Sequence, residues 1–175
     1  MQTKALILNK QTVASLVQFA ILLTVSIVAP LFHFQPITGP IVNACLFIAT
    51  ALLGVQAGIM LGLLPSLIAW SVGTLPTPLA PMVPFIMASN TIMVVSFAYL
   101  KEKHFAAGVI GASVLKFLFL FSTSYIVINL IAQKPELSSA SPIAQKAAQM
   151  MSWPQLATAL LGGIIAFTFL RFYKK

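Results

Sequence analysis

Residues 105–132 read FAAGVIGASVLKFLFLFSTSYIVINLIA, an apolar run long enough to cross a bilayer with residues to spare, and it carries one lysine. Lys116 stands about 15 residues past the Lys101-Glu102-Lys103 cluster, hence ~20 Å deep at about 1.5 Å per residue. A cation at that depth costs on the order of 2.5–3.5 kcal/mol unless something compensates it. The chain's two carboxylates, Glu102 and Glu136, flank this segment and do not enter it. Lys116 therefore has no counter-ion within its own span.

Composition agrees with a membrane setting. Of 175 residues, 59% are hydrophobic and 7% charged, which excludes an ordinary soluble domain. The net charge of +8 is not a nucleic-acid signature, because the lysines sit at span ends with no interleaved aromatics. The lone Cys45 lies in an apolar run, permits no intrachain disulfide and reads as a packing residue. Lysines precede the first apolar run as in a signal peptide. That run nevertheless reaches about 20 residues and ends in Ala29-Pro30-Leu31-Phe32 without an A-x-A site, so it reads as a retained span.

The whole chain, 1–175, reads as a single all-α membrane domain of six spans, at about 12–30, 40–54, 57–73, 82–100, 105–132 and 152–172. Pro30 ends the first span, and residues 31–40 (LFHFQPITGP) read as a stiff connection. Residues 41–72 are almost continuously apolar, about 48 Å as one helix and too long for one crossing. A turn at residues 54–58 (GVQAG) divides them. A second proline-rich connection covers residues 74–84, and a polar one covers residues 133–151, with a short helix expected through Ile143, Ala147 and Met150.

In this arrangement Lys4, Lys10, Lys101, Lys103, Arg171, Lys174 and Lys175 lie on one side, and Lys134 and Lys146 on the other. Seven against two places both termini in the cytoplasm by the positive-inside rule. The three elaborate connections then lie outside and the tight turns inside, a shape suited to holding something from outside.

Gly54, Gly58, Gly62 and Ser66 form a small-xxx-small series, and Ala159, Gly162, Gly163 and Ala166 read the same way. Such faces bring helices close together in lipid, either within one chain or against a partner. On a helical wheel the fifth span carries two polar stripes. Ser113, Lys116, Thr123 and Ser124 share one side, and Ser122, Tyr125 and Asn129 nearly the opposite one. A span polar on two sides is expected to be surrounded by protein or to line a cavity. Asn43, Asn90 and Gln155 are candidates for the same polar interior, each alternatively a simple interhelical hydrogen bond. Lys116 itself reads either as a snorkelling or neutral lysine bonded to backbone carbonyls, or as the counter-charge for an anionic ligand. His33, between Phe32 and Phe34, is an interface residue or a ligand contact, and His104 a membrane-edge residue.

Catalysis has little support. There is no carboxylate pair for acid–base chemistry, no convincing metal-ligand set among two distant histidines and one cysteine, and no G-x-x-x-x-G-K-[ST] phosphate loop. No cofactor is expected in this chain.

Six short spans in under 200 residues, the glycine turn reached from Gly39-Pro40-Ile41-Val42-Asn43-Ala44, and the proline-rich loop leading into Pro84-Phe85-Ile86 and Asn90 resemble the substrate-binding S component of an energy-coupling factor (ECF) vitamin transporter. The resemblance covers about residues 12–172. It implies a high-affinity binder of a vitamin or related micronutrient in a bacterial or archaeal cell membrane, driven by a transmembrane scaffold and two cytoplasmic ATPases that use the ATP. It also implies a ligand site among spans four to six and the outer loops, where Lys116, Tyr125, Asn129, Asn90, Gln155, Thr123 and His33 fall. Members often dock their scaffold through A-x-x-x-A on the first span; the nearest match here is Ala20-x-x-x-Thr24, with Ala14 also on that helix and Gly58 and Gly62 as a second candidate face. A stand-alone permease or channel, and a structural subunit whose Lys116 meets a neighbour's acid, are the alternatives.

The topology is checked by single cysteines at Gln2→Cys, Glu102→Cys, Ser138→Cys or Lys175→Cys in a Cys45→Ser background. An impermeant maleimide applied to cells is expected to label position 138 alone.

Overall fold

The computed structural model describes residues 10–32, 34–73, 82–132 and 149–173. Among them the chain is built from helices, with no strand. Helix α1 (Lys10–Val28) continues as a 3-10 turn over Ala29–Phe32, followed by α2 (Gln35–Leu52), α3 (Val55–Ser71), α4 (Val83–Leu100), α5 (Phe105–Ala132) and α6 (Trp153–Tyr173). Four of them, α1, α4, α5 and α6, are long and apolar enough to cross a membrane, while α2 and α3 are shorter apolar helices. The connection at 74–81 and most of the segment expected to form a short helix before α6 lie outside the described residues.

Two local expectations are corrected. Helix α2 begins at Gln35, within the stretch read as a stiff connection. Pro36 occupies its first turn, where a missing N–H leaves no bond unmade, and the Phe34 carbonyl accepts from both Ile37 and Thr38 at 3.0 Å. Only Pro40, inside the helix, removes a regular bond. The turn between α2 and α3 is also tighter than residues 54–58. Leu53 and Gly54 reverse the chain, Gly54 at φ 94°, a conformation open to glycine, and Gly58 already belongs to α3.

Helices α2, α3, α4, α5 and α6 pack neighbour to neighbour in a closed ring, and α1 rests outside it on α2 and α3. The most extensive contact joins α2 to α6, and glycines explain how. A methyl group on Gly162 would meet the Pro40 carbonyl oxygen at 2.8 Å and the Ala44 nitrogen at 2.9 Å, so the two backbones nearly touch. Gly58 and Gly62 serve the same purpose: both are buried, Gly58 against Thr50 and Val94, Gly62 against Asn90. The close approach they permit is intramolecular, which removes them from a partner-docking surface.

One end of the ring is tied by aromatic edges running through four helices. Phe47 on α2 meets Phe97 on α4 at 4.8 Å, Phe97 meets Phe105 on α5 at 5.3 Å, and Phe105 meets Phe167 on α6 at 5.4 Å. At the same end Lys101 donates to the Thr50 carbonyl at 3.0 Å, near the carboxyl terminus of α2, where a cation complements the helix dipole. The opposite end is closed by Met82, Leu120 and Met151 with Phe85, Ile86 and Val127 around them. By contrast, α1 buries only Ser26 and presents Val13, Leu16, Val17 and Ile21 outward, as suits a lipid-facing helix.

The helix crossing makes a contrast testable in thermal unfolding of the purified protein. Gly162→Ala is expected to lose about 1–3 kcal/mol, because the obstructing atoms are backbone. Gly111→Ala is expected to be neutral or better, since it meets only the terminal methyl of Leu100 and gains helix propensity.

Candidate functional site

Helix α5 places Val109, Ala112, Ser113, Lys116, Leu120 and Ser124 on one buried stripe at the spacing of 3.6 residues per turn. Lys116 is 4% exposed, at the centre of the ring. Its Nζ donates to Asn43 Oδ1 on α2 at 2.7 Å and to Asn90 Oδ1 on α4 at 2.8 Å. Among the described residues neither backbone carbonyls nor a carboxylate hold it; two neutral amide oxygens do.

The chemistry of lysine dictates how the surrounding amides are oriented. An ammonium donates and never accepts, so both asparagines must turn their oxygens toward it and their NH₂ groups away. Asn90 Nδ2 then donates to the Gly62 carbonyl of α3 at 3.0 Å. Asn43 Nδ2 faces Thr158 Oγ1 of α6 at 3.5 Å, the outer limit of a hydrogen bond. Thr158 passes its own proton to the Gln155 carbonyl at 3.2 Å. One directed network thus touches all five helices of the ring. The ammonium's third N–H and the buried hydroxyl of Ser113, one turn earlier on the same stripe, have no protein partner among the described residues.

Of the residues singled out in the sequence, the structure brings Lys116 into direct contact with Asn43 and Asn90, and reaches Gln155 only at its backbone carbonyl, through Asn43 and Thr158. The Gln155 amide donates to the Met150 carbonyl at 3.2 Å. Thr123 bonds the Phe119 carbonyl of its own helix at 2.8 Å and does not join the network. Tyr125 is 67% exposed and Ser122 on the same stripe is exposed as well, so these two face outward, not into a second polar interior, and the position of Tyr125 near the end of the span is that of an interfacial anchor. The Asn129 side chain and His33 lie outside the described residues. Ala14, Ala20 and Thr24 are exposed on α1, and Thr24 Oγ1 donates to the Ala20 carbonyl at 2.9 Å, which keeps that face apolar. Thr158 was not anticipated. The signal for it was its place one turn before Gly162 on the small-residue face of α6.

A cleft of about 720 Å³ opens between α3 and α4, walled by Leu63, Leu67, Trp70, Met87 and Ile92. Its one hydroxyl among the described residues, on Thr91, is engaged with the Met87 carbonyl at 3.0 Å, and the walls are otherwise apolar apart from the Trp70 indole N–H. Among the described residues no group of three His, Cys, Asp or Glu side chains comes together.

An all-helical membrane bundle with a buried lysine at its polar centre is the class the fold and site define. The family model for the substrate-specific component of ECF transporters matches residues 14–170, so the chain belongs to that family. No curated protein and no solved structure matches it.

Because Lys116 is a tie as well as a charge, Lys116→Met is expected to destabilise the fold by stranding two buried amide oxygens, at about 1–3 kcal/mol each. Adding Asn43→Leu and Asn90→Leu is expected to return most of that loss, since an apolar layer can replace a buried polar network. Unfolding of the single and triple variants measures both.

Proposed function

We propose that this chain is the membrane-embedded S component of an ECF-type importer, binding a vitamin or related micronutrient that carries an anionic group. A transmembrane scaffold and two cytoplasmic ATPases are its partners, and both termini are cytoplasmic. The observation that carries the anionic clause is Lys116, buried within the bundle and held, among the described residues, by neutral oxygens alone. A lone cation in a low-dielectric interior is best compensated by an anion, through a charge-assisted hydrogen bond. Asn90, from α4, stands directly beside this charge; Gln155 lies near the start of α6, toward the outer end. The network also speaks against a structural subunit whose lysine meets a neighbour's acid, because the ammonium points into its own chain.

On this reading the exposed Ala20–Thr24 face of α1 meets the scaffold, and its internal hydroxyl bond leaves it free to pack closely. Asn129 and His33 are further ligand contacts on this reading, whereas the outward-facing Tyr125 and the internally bonded Thr123 are not.

The test uses biotin, pantothenate and nicotinate beside their neutral counterparts biotinamide, pantothenol and nicotinamide. Binding is read by calorimetry, and accumulation in vesicles that hold the chain alone or with scaffold and ATPases. A carboxylate is expected to bind where its neutral counterpart does not, with accumulation only in the complete assembly. Lys116→Met is expected to weaken that binding by about 2–5 kcal/mol, and Lys116→Arg to restore part of it. Accumulation against a gradient by the chain alone would exclude the proposal.

A further inference from the structure

The two amide partners of Lys116 are not held alike. Both pack their Cβ against a glycine, Asn90 on Gly62 and Asn43 on Gly162, and they differ in their hydrogen bonds: the Asn90 oxygen is on Lys116 at 2.8 Å and its NH₂ on the Gly62 carbonyl at 3.0 Å. Asn43 has the 2.7 Å bond to Lys116, but its NH₂ has only the 3.5 Å contact to Thr158 Oγ1. Thr158 does not depend on that contact, because its hydroxyl proton already goes to the Gln155 carbonyl at 3.2 Å. Turning the Asn43 amide away therefore breaks one good bond, whereas turning Asn90 breaks two.

We infer that Asn43 is the exchangeable partner of Lys116: an incoming carboxylate takes the place of Asn43 Oδ1, while Asn90 stays and orients the ammonium. The inference rests on the substrate-binding reading above and adds to it a residue from α2. The exchange replaces a neutral acceptor by an anionic one on the same N–H, a stronger bond in a dry interior. The Ser113 hydroxyl, buried one turn away on the Lys116 stripe and without a partner among the described residues, supplies a donor for the second carboxylate oxygen. Asn43 thus sets affinity by competing for the lysine.

Small-molecule rescue tests this. Asn43→Ala and Asn90→Ala each delete a carboxamide, leaving a space that fits formate, an anion, or formamide, its neutral counterpart. The probes are sodium formate and formamide, with sodium chloride as the ionic control, read by thermal unfolding of the full-length protein in detergent. At Asn43→Ala, formate is expected to raise the melting temperature with an apparent affinity about tenfold better than formamide. The effect is expected to vanish when Lys116→Met is added. At Asn90→Ala the preference is expected to reverse, because the Gly62 carbonyl needs a donor and formate has none.

The isosteric Asn43→Asp builds the carboxylate into the chain and keeps the inference falsifiable where the alanine variant does not fold. It is expected to be more stable than the wild type and insensitive to formate. Equal rescue by the two probes at position 43, no rescue by either, or an Asn43→Asp protein less stable than the wild type overturns the inference. Formate reports on the site and not on transport. Rescue as expected in a chain that supports no uptake with its partners would therefore sink the importer assignment alone.

Discussion

A lysine side chain inside an apolar bundle can only give hydrogen bonds, and the middle of this structure is built on that one-way chemistry. Lys116 draws two amide oxygens inward, the amides must then donate outward, and their outward partners lie on the remaining helices of the ring. The direction of each bond is set by the one before it. Such a network does little for stability that a packed apolar layer would not do as well. What it adds is a fixed mutual register of five helices and a buried lysine at their centre.

The layers on either side differ in character. Toward the ends where Lys101 and Arg171 lie, phenylalanine edges and close glycine crossings make a rigid base. Toward the other end, Met82, Leu120 and Met151 close the bundle, and methionine repacks around changing shapes more readily than branched or aromatic side chains. The lysine thus lies between a stiff base and an adaptable cap. Membership of a substrate-specific transporter family fits that geometry.

The sequence disclosed the helices and the oddity of Lys116 because both are local facts: the length of an apolar run and one charge within it. It also disclosed Asn43 and Asn90 as interior candidates, since amides are rare in such spans. Their convergence on one ammonium was hidden, because it depends on how three helices far apart in the chain are rotated against each other. Thr158 was hidden for the same reason. The two polar stripes of α5 looked equivalent on a wheel, but only one can face the ring, and Tyr125 turns out to belong to the other. Gly58 and Gly62 carried a true signal of close packing that does not say whose helix is packed, and the neighbours are the chain's own. Prolines misled at the start of α2, where the first turn needs no donor from Pro36.

The most direct test of the central claim is an NMR spectrum of the ¹⁵N-lysine-labelled protein, with the Lys116 signal assigned by its absence from Lys116→Met. An ammonium buried and bonded to two amides is expected to give a positively charged Nζ signal shielded from exchange with water, and to shift when Asn43 or Asn90 is replaced. A Lys116 Nζ that exchanges as freely as that of the exposed Lys103, or that carries the signature of a neutral amine, would contradict the account.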